Sequence, residues 1–239
     1  LAYKEGMKQL EKGDALYASR KFDEAEILFP QSIWAAKASL MSAYALYSQN
    51  YYDDAIFNLE RHIKNYPKDK DLVYAHYLIA ICYFEQLYDE RKDLKPLVKA
   101  REKFEHILKK YPNTDYAIDA KWKMGLIVDQ MAAKEMYIGR YYMKMEKWIA
   151  AINRFKFVVK YYDTTVYIEE ALHRLVEIYY KIGLVEDAQK IAATLGYNYG
   201  SGEWYKNSYR IFNKSYKTAK ITKKKKDSFI RKKFKKLFE

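Results

Sequence analysis

The segment ASRKFDEAEILFP, Ala18 to Pro30, carries the spacing A-x3-F-x2-A-x4-P, and the chain returns to that spacing four more times. After 37 residues the slots hold Ala55, Leu59, His62 and Pro67, and after a further 45 they hold Ala100, Phe104, Ile107 and Pro112. The next set, 51 residues on, is Ala151, Phe155, Val158 and Asp163; the last, another 37 on, is Ala188, Ala192, Leu195 and Gly200. Slots at i, i+4 and i+7 lie on one face of an α-helix, so each copy reads as an amphipathic helix with a fixed packing stripe. Proline after the stripe ends the helix, because it has no amide hydrogen to donate and holds its predecessor out of the helical region.

A second helix precedes each copy, with a residue that is small in most copies at constant phase: Gly6, Ala43, Ala80, Gly139 and Val176. A small side chain there lets two helices approach closely across short turns such as KGDA and SQNY. Successive pairs are joined by a second recurring phrase, FPQSIWA from Phe29 to Ala35 and YPNTDYA from Tyr111 to Ala117. Pro30 and Pro112 stop one helix, Ser32 and Thr114 are expected to cap the next through their hydroxyls, and Trp34 and Tyr116 open the new packing face. SGEWY, Ser201 to Tyr205, keeps Trp204 in that slot with Gly200 in place of proline, which predicts a capping helix.

The unit resembles the tetratricopeptide repeat, a helix-turn-helix motif of about 34 residues. The expected fold is all-α: a right-handed α-α superhelix of five such helix pairs. The 45-residue step is assigned to an insertion, DERKDLKP, in the third unit. The 51-residue step is assigned to an extra helix, roughly Ala117 to Ala132, running on into the helix that contains Gly139. The chain divides into N-terminal repeats at 1–115, C-terminal repeats with a capping helix at 116–213, and a tail at 214–239. First helices line the concave face of such a stack. That puts Tyr3, Met7 and Leu10, then Leu40, Tyr44 and Tyr47, then Tyr74, Tyr77 and Phe84 along one groove. Aromatic bodies with polar tips suit an extended or loosely folded peptide, and some of these positions also serve packing between units.

Of 44 basic residues, twelve fall between Lys214 and Glu239 against two acidic ones, leaving 32 against 29 in the body. Of the net charge of +13, +10 therefore belongs to the tail and the body is nearly neutral, and a nucleic-acid partner is not the expected one. Within ITKKKKDSFIRKKFKKLFE, Ile230, Phe234, Leu237 and Phe238 fall on one helical stripe, a pattern suited to anionic lipid or an acidic partner. No apolar run approaches the roughly 20 residues that span a bilayer. The single cysteine, Cys82, reads as a core residue and rules out an intrachain disulfide. No phosphate loop, nucleophile elbow or paired metal-ligand spacing is present, so neither catalysis, cofactor nor metal is expected. His62, His76, His106 and His173 are spread along the chain, and acidic pairs such as Asp53-Asp54 and Glu169-Glu170 favour helix N-termini.

Four stretches narrow the resemblance: LMSAYALYSQNYYDDAI, GRYYMKMEKWIAAINRFKFVVKYY, ALHRLVEIYYKIGLVEDAQKIAATLGYNY and EWYK. Together with the insertion and the extra helix, they are similar to the YfiO-like (BamD) family of outer-membrane assembly lipoproteins, from about Tyr3 to Phe212. The resemblance implies a non-enzymatic scaffold and receptor of the β-barrel assembly machinery, on the periplasmic face of a Gram-negative outer membrane. A lipidated cysteine upstream of Leu1 would anchor it. It implies binding of unfolded outer-membrane proteins by the N-terminal repeats and docking of the C-terminal repeats on the POTRA domains of the barrel subunit BamA, alongside other lipoproteins of the complex. The family's Asn-Arg pair matches Asn153 and Arg154, which marks them as docking residues. The alternative is a different periplasmic tetratricopeptide adaptor, related to the YbgF cell-envelope coordinator.

Overall fold

The computed structural model describes residues 1–86, 93–200 and 202–213. The first half of the DERKDLKP insertion, Ser201 and the basic tail from Lys214 lie outside the described residues. Eleven helices are present among those described, and no strand. The chain forms two compact units, Leu1–Ile168 and Glu169–Glu239.

The first unit holds α1 (Ala2–Glu11), α2 (Ala15–Leu28), α3 (Ile33–Ser48), α4 (Tyr52–Asn65), α5 (Leu72–Glu85), α6 (Lys95–Lys110), α7 (Asp115–Lys144) and α8 (Trp148–Tyr161). They pair in sequence order, α1 with α2 through α7 with α8, and each pair packs on the next. The second unit holds α9 (Ile168–Lys181, with its first residue at the boundary), α10 (Val185–Tyr199) and α11 (Glu203–Phe212).

The recurring A-x3-F spacing works as a ring set onto a glycine. A Cβ at Gly6 would lie 2.8 Å from the Phe22 ring, and one at Gly139 would lie 2.6 Å from Phe155. Both rings are completely buried, and each contributes about 2–3 kcal/mol by that burial. Where the phase residue is alanine the same slots still close: Ala43 with Leu59 in one core cluster, Ala80 with Phe104 in another.

The turns inside the pairs rhyme as closely as the helices. Gly13, Asn50, Glu146 and Gly183 all have positive φ, at 81°, 64°, 58° and 87°. At each turn the next residue donates back five positions, closing a six-residue loop: Asp14 to the Gln9 carbonyl, Tyr51 to Leu46, Lys147 to Tyr142 and Leu184 to Tyr179. This is the Schellman closure, which satisfies carbonyls left over at a helix end and requires one left-handed residue. Gly13 and Asn50, like Glu146 and Gly183, stand one 37-residue period apart.

The extra helix is no separate element. Asp115 to Lys144 forms one helix of 30 residues, since Gly125 is tolerated and nothing between Asp115 and Gly139 breaks the ladder. Its N-terminal half shares a core with α5 and α6 through Ala117, Ala120, Ile127 and Met131. Consequently the compact units divide after Ile168, while residue 115 opens a helix inside the first unit.

The joints differ in detail. Thr114 accepts a hydrogen bond from the Ala117 amide at 3.3 Å and donates to the Tyr111 carbonyl at 2.8 Å, so the expected cap is present. Ser32 stands at the N-cap of α3 with extended backbone, yet its side chain makes no cap hydrogen bond. The Ser32 carbonyl accepts from Ala35 instead, at 3.1 Å, and the backbone alone closes that turn. A third joint, absent from the sequence reading, lies at Tyr162–Ile168. There Thr165 donates to the Tyr162 carbonyl at 2.7 Å, repeating the bond from Thr114 to Tyr111 without a proline.

Candidate functional site

Helices α3, α5 and α7 present adjoining aromatic faces because each is the first helix of its pair and repeats the same phase. Tyr44 and Tyr47 of α3 have ring centroids 6.2 Å apart, and Tyr47 is 6.2 Å from Tyr52. On α5, Tyr74 and Tyr77 both meet Tyr116 of α7, at 5.9 and 5.1 Å. Tyr77 and Phe84 each lie 6.2 Å from the buried Phe104 ring. Tyr47 of α3 reaches Glu85 at the end of α5, which ties the two sets of rings together. The result is a ladder of half-buried rings crossing three helices, with hydroxyls along its length.

Those hydroxyls are tied to carboxylates. Tyr47 donates to Glu85 Oε1 and Tyr52 to Glu85 Oε2, both at 3.0 Å, while Tyr77 donates to Asp119 Oδ2. Burial, followed by the bond to Glu85 or Asp119, holds the Tyr47 and Tyr77 phenols well above their ordinary range; burial pushes Tyr74 up to about 12. All three therefore remain protonated donors at any physiological pH. Lys123 pairs with Asp119 at 3.5 Å and places its ammonium 5.5 Å from both the Phe84 and the Trp122 ring. The face offers aromatic surface, fixed acceptors and one cation.

Not every residue expected on the groove reaches it. Leu40 is 7% exposed and lies in the core with Ala43 and Leu46. Tyr3, Met7 and Leu10 pack against Phe22 and Ala45, and Tyr3 meets Trp34 at 5.5 Å, so these three belong chiefly to the joint of α1, α2 and α3. Tyr52, Glu85 and Asp119 join the ladder without having been singled out from the sequence, and Tyr116, expected only to open the packing face of α7, joins it as well. The aromatic slot of the joint YPNTDYA was the available signal for Tyr116, with Asp119 three residues further on.

Around Asn153 the second face is formed by α8. Ile149, Asn153, Phe157 and Tyr161 follow at strict four-residue spacing and all are exposed, Ile149 to 77%. The Phe157 and Tyr161 rings are 4.6 Å apart, and the Lys160 ammonium lies 4.9 Å from Tyr161. Arg154 turns toward α7, where Nη1 meets Glu135 Oε2 at 3.0 Å. Its side chain is 42% exposed, and the guanidinium retains donors for a partner.

The histidines stay out of these faces. His62 is completely buried in its packing slot, with Asp69 Oδ2 3.3 Å from Nε2, and burial lowers its pKa. His76 and His106 lie 4.8 Å apart beside Tyr111. Burial, then His106 and two lysines, push His76 down to about 4. His173 accepts or donates at Nδ1 with Ser208 Oγ, 2.7 Å away, fastening α11 to α9. Among the described residues no three histidine, cysteine or acidic side chains are grouped to hold a metal ion, and no helix is long and apolar enough to cross a membrane.

Residues 1–195 match the YfiO family model, described as "Outer membrane lipoprotein". A protein of Caulobacter vibrioides named "Outer membrane protein assembly factor BamD" is 43% identical over 213 residues, spanning 89% of this chain and 70% of that one. A Rickettsia prowazekii protein of the same name is 39% identical over 209 residues, spanning 87% and 83%. Among solved structures, TTC0263, a thermophilic tetratricopeptide protein of Thermus thermophilus, covers 88% of this chain and 97% of its own at 15% identity and a TM-score of 0.39.

Proposed function

Since the chain belongs to the YfiO family of outer membrane lipoproteins, we propose that it is a non-enzymatic scaffold and substrate receptor in the assembly of outer-membrane β-barrel proteins. In this reading it works at the periplasmic face of the outer membrane, held there by a lipid anchor. The aromatic ladder of α3, α5 and α7 takes an unfolded client, and the exposed stripe of α8 docks on the POTRA domains of the barrel subunit.

The ladder is the observation that carries the receptor role. Half-buried tyrosines give a client segment large contact area for little loss of side-chain entropy, because the rings are already ordered by one another. The acceptors at Glu85 and Asp119 and the Lys123 ammonium stand beside the rings, so polar groups of an extended chain find partners along the same face. Stacking of this kind is indifferent to exact side-chain order, as a receptor of many unfolded clients requires.

A fluorescent peptide from the C-terminal strand of an outer-membrane protein tests this. Two rings at about 1 kcal/mol each make Tyr44→Ala with Tyr74→Ala weaken binding roughly thirtyfold. Equal affinity of the wild type and the double variant for that peptide removes the ladder from the client site.

For docking, Asn153 lies in the middle of an apolar stripe with Arg154 at its flank, which is the arrangement of an apolar anchor with a polar rim. Arg154→Glu places a second carboxylate beside Glu135 and is expected to weaken a complex with the barrel subunit's POTRA domains at least about tenfold. Unchanged binding by a folded variant assigns Arg154 to its local ion pair alone.

A further inference from the structure

Where α1, the end of α2 and the start of α3 meet, they leave a cavity of about 960 Å³ that the aromatic ladder does not use. It is at the upper end of the range for small-molecule sites, roughly 300–1,000 Å³. Its exposed lining is mostly apolar and includes Tyr3, Leu28, Phe29 and Trp34. The joint around it is unlike the others: Ile27, Leu28, Phe29, Ile33 and Trp34 are all exposed, Ile33 to 89%. Five large apolar side chains within eight residues of surface chain form a patch that folding alone does not explain.

Charge at the rim is asymmetric. Glu24 is engaged by Lys21 at 2.6 Å, and Glu5 accepts from Gln9 at 2.7 Å. Lys4 and Lys8 stand one turn apart on α1, both exposed, and neither has an acidic partner among the described residues. The Lys37 ammonium lies 5.5 Å from the Trp34 ring. The lining is thus mostly aliphatic and aromatic, with its unpaired charge positive. A ligand apolar in its body and negative at its head matches this.

The geometry points to a seat for an acyl chain of an anionic phospholipid, with the headgroup on Lys4 and Lys8 and the exposed Ile27 and Ile33 set into the bilayer surface beside the mouth. This is a non-covalent contact, distinct from any lipid anchor, and does not depend on which client the aromatic ladder takes. Trp and Phe at such a boundary, with lysines reaching the headgroups, is the usual chemistry of an interfacial contact.

Vesicles of phosphatidylcholine, with and without phosphatidylglycerol carrying brominated acyl chains, test it on the full chain. Bromine quenches tryptophan only at short range, and Trp34 is the tryptophan that lines the cavity. Quenching is expected with the anionic vesicles and is lost in Trp34→Phe. Lys4→Glu with Lys8→Glu, both on the surface, should weaken it at least about tenfold with the helical circular dichroism unchanged. Three results overturn the assignment. Quenching that survives Trp34→Phe places the lipid elsewhere. Co-sedimentation with vesicles without any Trp34-dependent quenching assigns membrane contact to the basic residues 214–239. Displacement of the brominated chain by a short peptide ending in an aromatic residue, but not by its scrambled form, makes the cavity a peptide site.

Discussion

FPQSIWA and YPNTDYA look interchangeable in sequence, yet the two joints have different jobs. At Tyr111–Ala117 the hydroxyl of Thr114 caps α7 and bonds back to Tyr111, and Tyr111 packs beside His76 and His106. At Phe29–Ala35 the Ser32 hydroxyl caps nothing, and Phe29, Ile33 and Trp34 face outward around a cavity. One joint is closed by side chains and the other only by its backbone. A shared phrase thus fixes where the chain turns, while the residues in its variable slots decide whether the turn is sealed or left open for a ligand.

The difference can be broken at several points. The largest effect is expected beyond the closed joint, where α7 continues to Gly139. Gly139→Val forces a branched side chain into the Phe155 ring, and urea unfolding should show a loss of about 3 kcal/mol, partly recovered by adding Phe155→Leu. At the joints themselves, Thr114→Ala should cost about 1 kcal/mol as a lost cap, whereas Ser32→Ala should cost only a few tenths or less. Equal losses at the two sites would show that the hydroxyls contribute alike.

The smallest effect is one of pH. The pKa of His76 is depressed in the folded chain to about 4, so below the ordinary histidine value, near 6.5, the unfolded chain binds the proton that the folded one refuses. Its contribution to stability is complete above that value and lost as pH falls toward 4. Unfolding midpoints measured across this interval should decline less steeply for His76→Gln than for the wild type. No histidine lies within the open joint, and Ser32→Ala should leave the slope unchanged.

The paired helices were legible because a glycine or alanine opposite a repeated stripe leaves few other ways to pack. Gly6 and Gly139, with Phe22 and Phe155, behave as their spacing says. Tyr44, Tyr47, Tyr74 and Tyr77 were legible for the same reason, phase along a helix. What the phase does not encode is how far each helix is pushed toward its neighbour. That distance buries Leu40 and brings Tyr116 and Asp119 onto the ladder. It also turns Arg154 toward Glu135. Rotamers are likewise invisible: Ser32 and Thr114 occupy equivalent positions, and only one hydroxyl points at the free amides. The left-handed turn residues were half legible, since glycine announces Gly13 and Gly183 while Asn50 and Glu146 take the same conformation under the pull of the six-residue closure.

Those closures have a kinetic consequence. Each of the four turns joins its two helices through bonds between residues five apart in the chain, so a pair can zip shut before distant parts of the polypeptide meet. Chains dominated by such short-range contacts fold on the microsecond-to-millisecond scale, roughly speaking, and need no slow search for partners. A chain that closes its helix pairs in this way exposes its own unfolded form only briefly.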